Sequence, residues 1–175
     1  LRRLRSSALV LAAAALLHAC GGGGGTTAGV GTGGTGSFSV GTVTGFGSVF
    51  VNGIRYEDRG ARLVDDDGTV KVLGSGDNTL KVGMAVEVTG SVDDSGTVRS
   101  ATQIAYGAEI KGPVTAVDAA AGTFNVFGIT VRTNTTTVYD NFGGVRALTT
   151  GNVVEVHGQP DTSGRIVASY VERKA

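Results

Sequence analysis

From Gly41 onward the chain states one pattern twice. Gly41-Thr42-Val43 returns as Gly112-Pro113-Val114, and Ser48-Val49-Phe50-Val51-Asn52-Gly53-Ile54 returns as Thr123-Phe124-Asn125-Val126-Phe127-Gly128-Ile129. The best match pairs Val82-Gly83-Met84-Ala85-Val86-Glu87-Val88-Thr89-Gly90 with Thr150-Gly151-Asn152-Val153-Val154-Glu155-Val156-His157-Gly158, 68 residues on. The Ser95-Gly96 and Ser163-Gly164 turns keep that interval, and Ala101 and Ile104 echo Ala168 and Val171. The fold question therefore reduces to what a unit of about 65 residues can form.

The unit reads as strands. Val86 and Val88 point one way around Glu87, and Val154 and Val156 repeat this around Glu155, so valines face in and glutamates out. By the same alternation His157 reads as a surface residue. Asn52-Gly53 between two apolar runs signals a type I′ hairpin, because both central residues tolerate positive φ; Phe127-Gly128 is its weaker counterpart. Asp93-Asp94-Ser95-Gly96 and Asp161-Thr162-Ser163-Gly164 read as later hairpin turns. Thirty Gly, 25 Val and 21 Thr among 175 residues suit short strands and turns. Only residues 140–149 leave room for a short helical turn.

Each copy gives about five strands, and five short strands with an irregular insertion before the fourth suit a closed barrel, which removes exposed edges. The expected fold is all-β: two tandem small five-stranded OB-like Greek-key barrels after a signal peptide and Gly-rich linker, with an open β-sandwich as runner-up. The barrels are placed at residues 37–107 and 108–175, and the Gly107-Ala108-Glu109 junction is too short to let them move freely.

At these residues the chain resembles a known family. Gly41 to Gly53 and Leu80 to Gly90 look like the bacterial domain of unknown function 5666, over both copies from about 41 to 173, the first being the closer match. The resemblance implies an exported protein, often a lipoprotein, built of repeated OB-like barrels. It implies no established activity and brings no catalytic residues.

The first nineteen residues read as a lipoprotein signal peptide: Arg2, Arg3 and Arg5 precede an apolar run from Ala8 to Leu17, too short to span a bilayer. Leu17-His18-Ala19-Cys20 resembles a bacterial lipobox, with Cys20 as the lipidated residue. Several acyl chains would hold the protein at a membrane. Residues 20–36 form a Gly/Thr-rich tether with almost no side chain to bury. Its Gly29-Val30-Gly31-Thr32-Gly33-Gly34 spells a phosphate loop, but lacks the preceding strand and following helix which that loop needs.

Residues 20–175 carry 12 Lys and Arg against 15 Asp and Glu, a net of −3. That balance opposes a polyanionic partner, so no nucleic acid is expected. One His and one lipidated Cys cannot assemble a metal or nucleophile site, no catalytic residue or cofactor is expected, and the chain is read as a non-enzyme. Asp65-Asp66-Asp67-Gly68 fails as a calcium loop, with Leu63 and Gly74 where an EF-hand needs acids, and reads as a solvated turn before a strand from Thr69 to Leu73. Glu87 and Glu155 stand about one barrel apart, not as a carboxylate pair. Phe46, in a glycine-flanked loop, and Tyr139, Asn141 and Phe142 are the candidate ligand contacts.

The functional expectation is a lipid-anchored cell-envelope protein, exported to the outer membrane facing the periplasm or the cell surface, acting as a non-catalytic binding or scaffolding module. Its partners would be the membrane, through the N-terminal lipid, and an envelope glycan or protein. The rivals are a hydrolase of envelope glycans or peptides and a single-stranded nucleic-acid binder.

Overall fold

The computed structural model describes residues 35–74 and 76–175. The segment expected to be a signal peptide, Cys20 and the expected tether up to residue 34 lie outside the described residues. Gly34–Ala175 form one compact unit. The fold is all-β, broken only by a 3-10 turn at Val145–Ala147 inside the stretch with room for one.

The first half contributes β1 (Thr35–Gly45), β2 (Val49–Val51), β3 (Ile54–Tyr56), β4 (Arg62–Val64), β5 (Val70–Val72), β6 (Ala85–Val92) and β7 (Arg99–Tyr106). The second contributes β8 (Ile110–Asp118), β9 (Thr123–Val126), β10 (Ile129–Arg132), β11 (Val138–Asp140), β12 (Val153–Pro160) and β13 (Ile166–Arg173). In each half a three-strand meander is joined along its first strand by an antiparallel pair, giving β3-β2-β1-β6-β7 and β10-β9-β8-β12-β13. The second half closes: β10 meets β13 in parallel, Val131 opposite Ile166 and Arg132 opposite Val167. That is the five-strand order of an OB barrel. In the first half the corresponding closure is a single parallel bridge, Glu57 to Ser100. β5 falls within the strand expected from Thr69 to Leu73, while β4 and β11 go beyond the expected strands; β4 and β11 lie parallel to β7 and β13. β1 already begins at Thr35, so the last two residues of the expected tether are strand.

The alternation places the cores as expected. Val43, Val49, Val51, Val86, Val88 and Ile104 centre one hydrophobic cluster, and Val114, Phe124, Val126, Val154, Val156 and Val171 the other. Each is filled by inward positions of its own half. Both hairpin turns have positive φ at both central residues, 51° and 78° at Asn52-Gly53 and 49° and 80° at Phe127-Gly128. Asn52 also stitches its hairpin to β1: its Nδ2 donates to the Val40 carbonyl (3.1 Å) and its Oδ1 accepts from the Thr42 amide (3.0 Å). In the other half the Phe127 ring occupies that place, over Gly112.

The glycine that ends each copy of the best-matched motif has a steric cause. The β6–β7 ladder slips between Thr89 and Gly90, and the β12–β13 ladder between His157 and Gly158, leaving Thr102 and Ser169 as extra residues. At the slip the strands approach so closely that a Cβ on Gly90 would overlap the Ser100 carbonyl oxygen, and one on Gly158 the Val167 carbonyl oxygen.

Candidate functional site

The two halves treat their outer faces differently. On β6 the outward Glu87 and Thr89 are exposed, as alternation demands. On β12 their counterparts are not: His157 is 0% exposed and Glu155 is buried. The reading of both as surface residues is corrected here, and the cause is packing from outside. The turn before β6 covers this face of the second half. Ser169 Oγ donates to the Gly83 carbonyl at 2.6 Å, and a Cβ on Gly83 would lie 2.6 Å from the Ser169 carbonyl oxygen and 3.1 Å from Tyr170 Cβ. An outward side chain is exposed only if nothing is stacked on its side of the sheet.

Within this seam His157 packs edge to face on Tyr170, with ring centroids 5.5 Å apart. Its Nε2 lies 3.3 Å from Glu155 Oε1, which fits the tautomer protonated at Nε2, and its buried Nδ1 has no hydrogen-bond partner. Tyr170 donates its hydroxyl to Asp140 Oδ2 at 2.8 Å. Lys174 Nζ bridges Glu155 and Glu172, at 2.8 Å from each, and Lys111 Nζ stands 3.8 Å from Glu155. The hydrogen bond from His157, followed by that from Lys174, outweighs burial and brings the Glu155 carboxyl down to about 2. Burial works against the Lys174 ammonium, but its bonds to Glu155 and Glu172 prevail and raise its pKa above the lysine value. A carboxylate held so low stays anionic at neutral pH and is too weak a base for proton transfer, which needs a pKa near the working pH. The group is built to hold the seam.

Beside it lies an open cleft of about 380 Å³, walled by Val40, Ala85 and Glu87 of the first half, Tyr106 and Ala108 at the junction, and Gly158 of β12. A smaller hollow of about 230 Å³ shares Asp65, Asp66 and Tyr106 with the cleft and reaches Glu155 and Lys174. Burial first, and then the negative charges of Asp65, Glu155, Asp66 and Asp77, raise the Tyr106 hydroxyl above its usual pKa. The cleft wall carries Asp65, Asp66, Glu87 and Glu109 beside the apolar Val40, Ala85 and Ala105, whereas Lys111 and Lys174 line the hollow. Asp65 itself is engaged in its turn, accepting from the amides of Asp67 (3.1 Å) and Thr69 (2.7 Å). Among the described residues no three His, Cys, Asp or Glu converge as a metal set.

Residues 111–172 match the family model described as Domain of unknown function (DUF5666). The match covers about a third of the chain and makes the second half similar to that family. The DUF5666 match runs from the second residue of β8 to the last but one of β13, taking in the closed barrel together with Glu155, His157 and Tyr170. The first-half stretches that carry the resemblance in sequence, Gly41 to Gly53 and Leu80 to Gly90, lie outside the matched span. No curated protein and no solved structure matches the chain.

Three of the four candidate contacts fall within the matched span and come together there. Tyr139 and Phe142 are half-buried against the second core and meet edge to face, centroids 5.2 Å apart. Asn141, at φ 65°, is tied to β13: its Nδ2 donates to Glu172 Oε1 and to the Arg173 carbonyl, both at 3.3 Å, and the Arg173 guanidinium donates back to the Asn141 carbonyl at 3.0 Å. Phe46 stands apart in the first half, 51% exposed, on a second pocket of about 380 Å³ with Ser48, Glu57, Arg59 and Asp77. The seam group was missed because alternation reports direction and not cover. The signal lay in the difference between copies: where the first has Thr89 and Gln103 facing out, the second has His157 and Tyr170, an aromatic pair unsuited to water.

Proposed function

We propose that this protein is an exported, lipid-anchored binding or scaffolding module of the cell envelope that does no chemistry. It would be held at the outer membrane by acyl chains on Cys20. The observation that carries the binding reading is the cleft beside the seam: an apolar wall with carboxylates at its rim, placed between the two halves. Pockets of this size lie in the range used for ligands and favour such junctions. The hydrolase alternative has little to stand on, since Glu155 is committed to His157 and Lys174. The negative rim and the net charge of −3 oppose a nucleic-acid backbone.

One experiment in cells tests both parts of the reading. Metabolic labelling with a palmitate analogue marks the wild-type protein, and Cys20→Ser removes the mark. A photo-crosslinking amino acid at Ala108, in the cleft, gives an adduct with an envelope component, whereas the same group at Thr162, in the exposed β12–β13 turn, gives none. An unmarked wild type ends the anchoring proposal, and no adduct at Ala108 ends the binding one.

A further inference from the structure

We propose that the cleft takes an extended basic polypeptide segment, added as an antiparallel strand to the edge of β12 at Gly158; this deepens the binding reading above and rests on it.

The edge is left open by the junction between the halves. β8 pairs with β12 only as far as Ile110 opposite Val156. One further bond follows, from the Glu109 amide to the Val156 carbonyl at 2.8 Å. Beyond it, Gly158, Gln159 and Pro160 have ladder partners only in β13. Strand groups alternate sides with a period of two, so the Gly158 amide and carbonyl face the same side as those of Val156, where no strand follows. Gly158 and Gln159 line the cleft.

The first half shows what such an edge accepts. Gly90 is the counterpart of Gly158, and there the place is filled: β1 starts early, and Thr35 to Val40 run antiparallel beside Val92 to Glu87, with Ser37 opposite Gly90. In the second half the equivalent stretch is the junction Gly107-Ala108-Glu109, which leaves the sheet to reach β7. The same slot that holds a strand in one half is therefore a cleft in the other.

Charge selects the occupant. Asp66, Glu87 and Glu109 stand on the cleft wall, and among the described residues none is in a salt bridge. No Lys or Arg lines the cleft. An added strand alternates its side chains between two faces, so a segment alternating basic and apolar residues can set its cations at the rim and its apolar groups on Val40, Ala85 and Ala105. Pro160 has no amide to offer, so the shared ladder is short and the side chains supply the selectivity.

The test uses the full chain and a fluorescein-labelled alternating valine-lysine peptide of about eight residues, followed by anisotropy at low salt. Saturable binding is expected, weakened about tenfold by Glu87→Gln with Glu109→Gln and by about 0.5 M salt. The same peptide with alternate amides N-methylated cannot pair as a strand and should not bind. Ala108→Trp, which fills the cleft, should also abolish binding. Failure of the valine-lysine peptide to bind overturns the proposal, as does equal binding of the N-methylated form or of a valine-glutamate peptide. If that failure comes while the crosslinked adduct at Ala108 persists in cells, the cleft is a binding site for something other than a basic strand; loss of both removes the binding reading itself.

Discussion

The outer faces of β6 and β12 are the same surface built twice, and only one is covered. On β6, Glu87 and Thr89 meet water; on β12, Glu155 and His157 are buried, beside the Ser169–Tyr170 stretch of β13 that the Gly83 turn of the other half touches. Burial here is not a property of the strand motif, which is nearly identical in the two places. It follows from which copy has a neighbour, and the sequence has adjusted at the covered positions: threonine and glutamine give way to histidine and tyrosine, and a lysine arrives to neutralise the buried acid.

The widest gap between the copies should appear at the glycines before the two strands. Gly83 and Gly151 share φ values of 94° and 93°, where any side chain is strained, but only Gly83 has the other half against it. Gly83→Ala should cost about 3 kcal/mol and Gly151→Ala about 1 kcal/mol in urea denaturation. Equal losses would mean that the turn does not press on Tyr170.

Next in size is the acid pair. Glu155 is held at about 2 against an ordinary 4.5, so its contribution to stability is present above pH 4.5 and fades as pH falls toward about 2. Glu155→Gln should therefore lose about 2 kcal/mol at neutral pH, with the deficit closing across that acid window. Glu87→Gln, exposed and without an ion pair, should stay within about 0.5 kcal/mol of wild type. Denaturation midpoints of the two variants across acid and neutral pH make the comparison, and a deficit for Glu155→Gln that persists at the acid end would detach the seam from its charge.

The smallest effect concerns the hairpins. Phe127 adopts φ 49° while 65% exposed, a conformation that asparagine tolerates better. Phe127→Asn, copying Asn52, should stabilise by about 0.5–1 kcal/mol, seen as a higher denaturation midpoint. A loss would show that the ring over Gly112 matters more than the backbone.

These contrasts mark what could be read in advance. The valine alternation and the two hairpins are local signals, and they led to the hairpin strands, both cores and the closed barrel of the second half. β4 was not legible, because Arg62-Leu63-Val64 is short and finds its parallel partner in β7, far along the chain. The seam was not legible from either copy alone, since Glu155 and Glu87 have the same neighbours in sequence. It emerges only where one copy's outward residues turn aromatic. The cleft depends on a junction of three residues failing to continue a strand, a long-range geometric fact with no local mark beyond its small side chains.

The order of the halves has a consequence for how the molecule is made. A ribosome releases the amino-terminal portion first, and such portions generally fold as they emerge. The half made early carries Glu87 and Thr89 on the outer wall of β6, where they meet water without cover. The half made late carries His157 and Tyr170 on its outer wall, and by then the turn that shields them already exists. In the opposite gene order, His157 and Tyr170 would stand unshielded until synthesis ended.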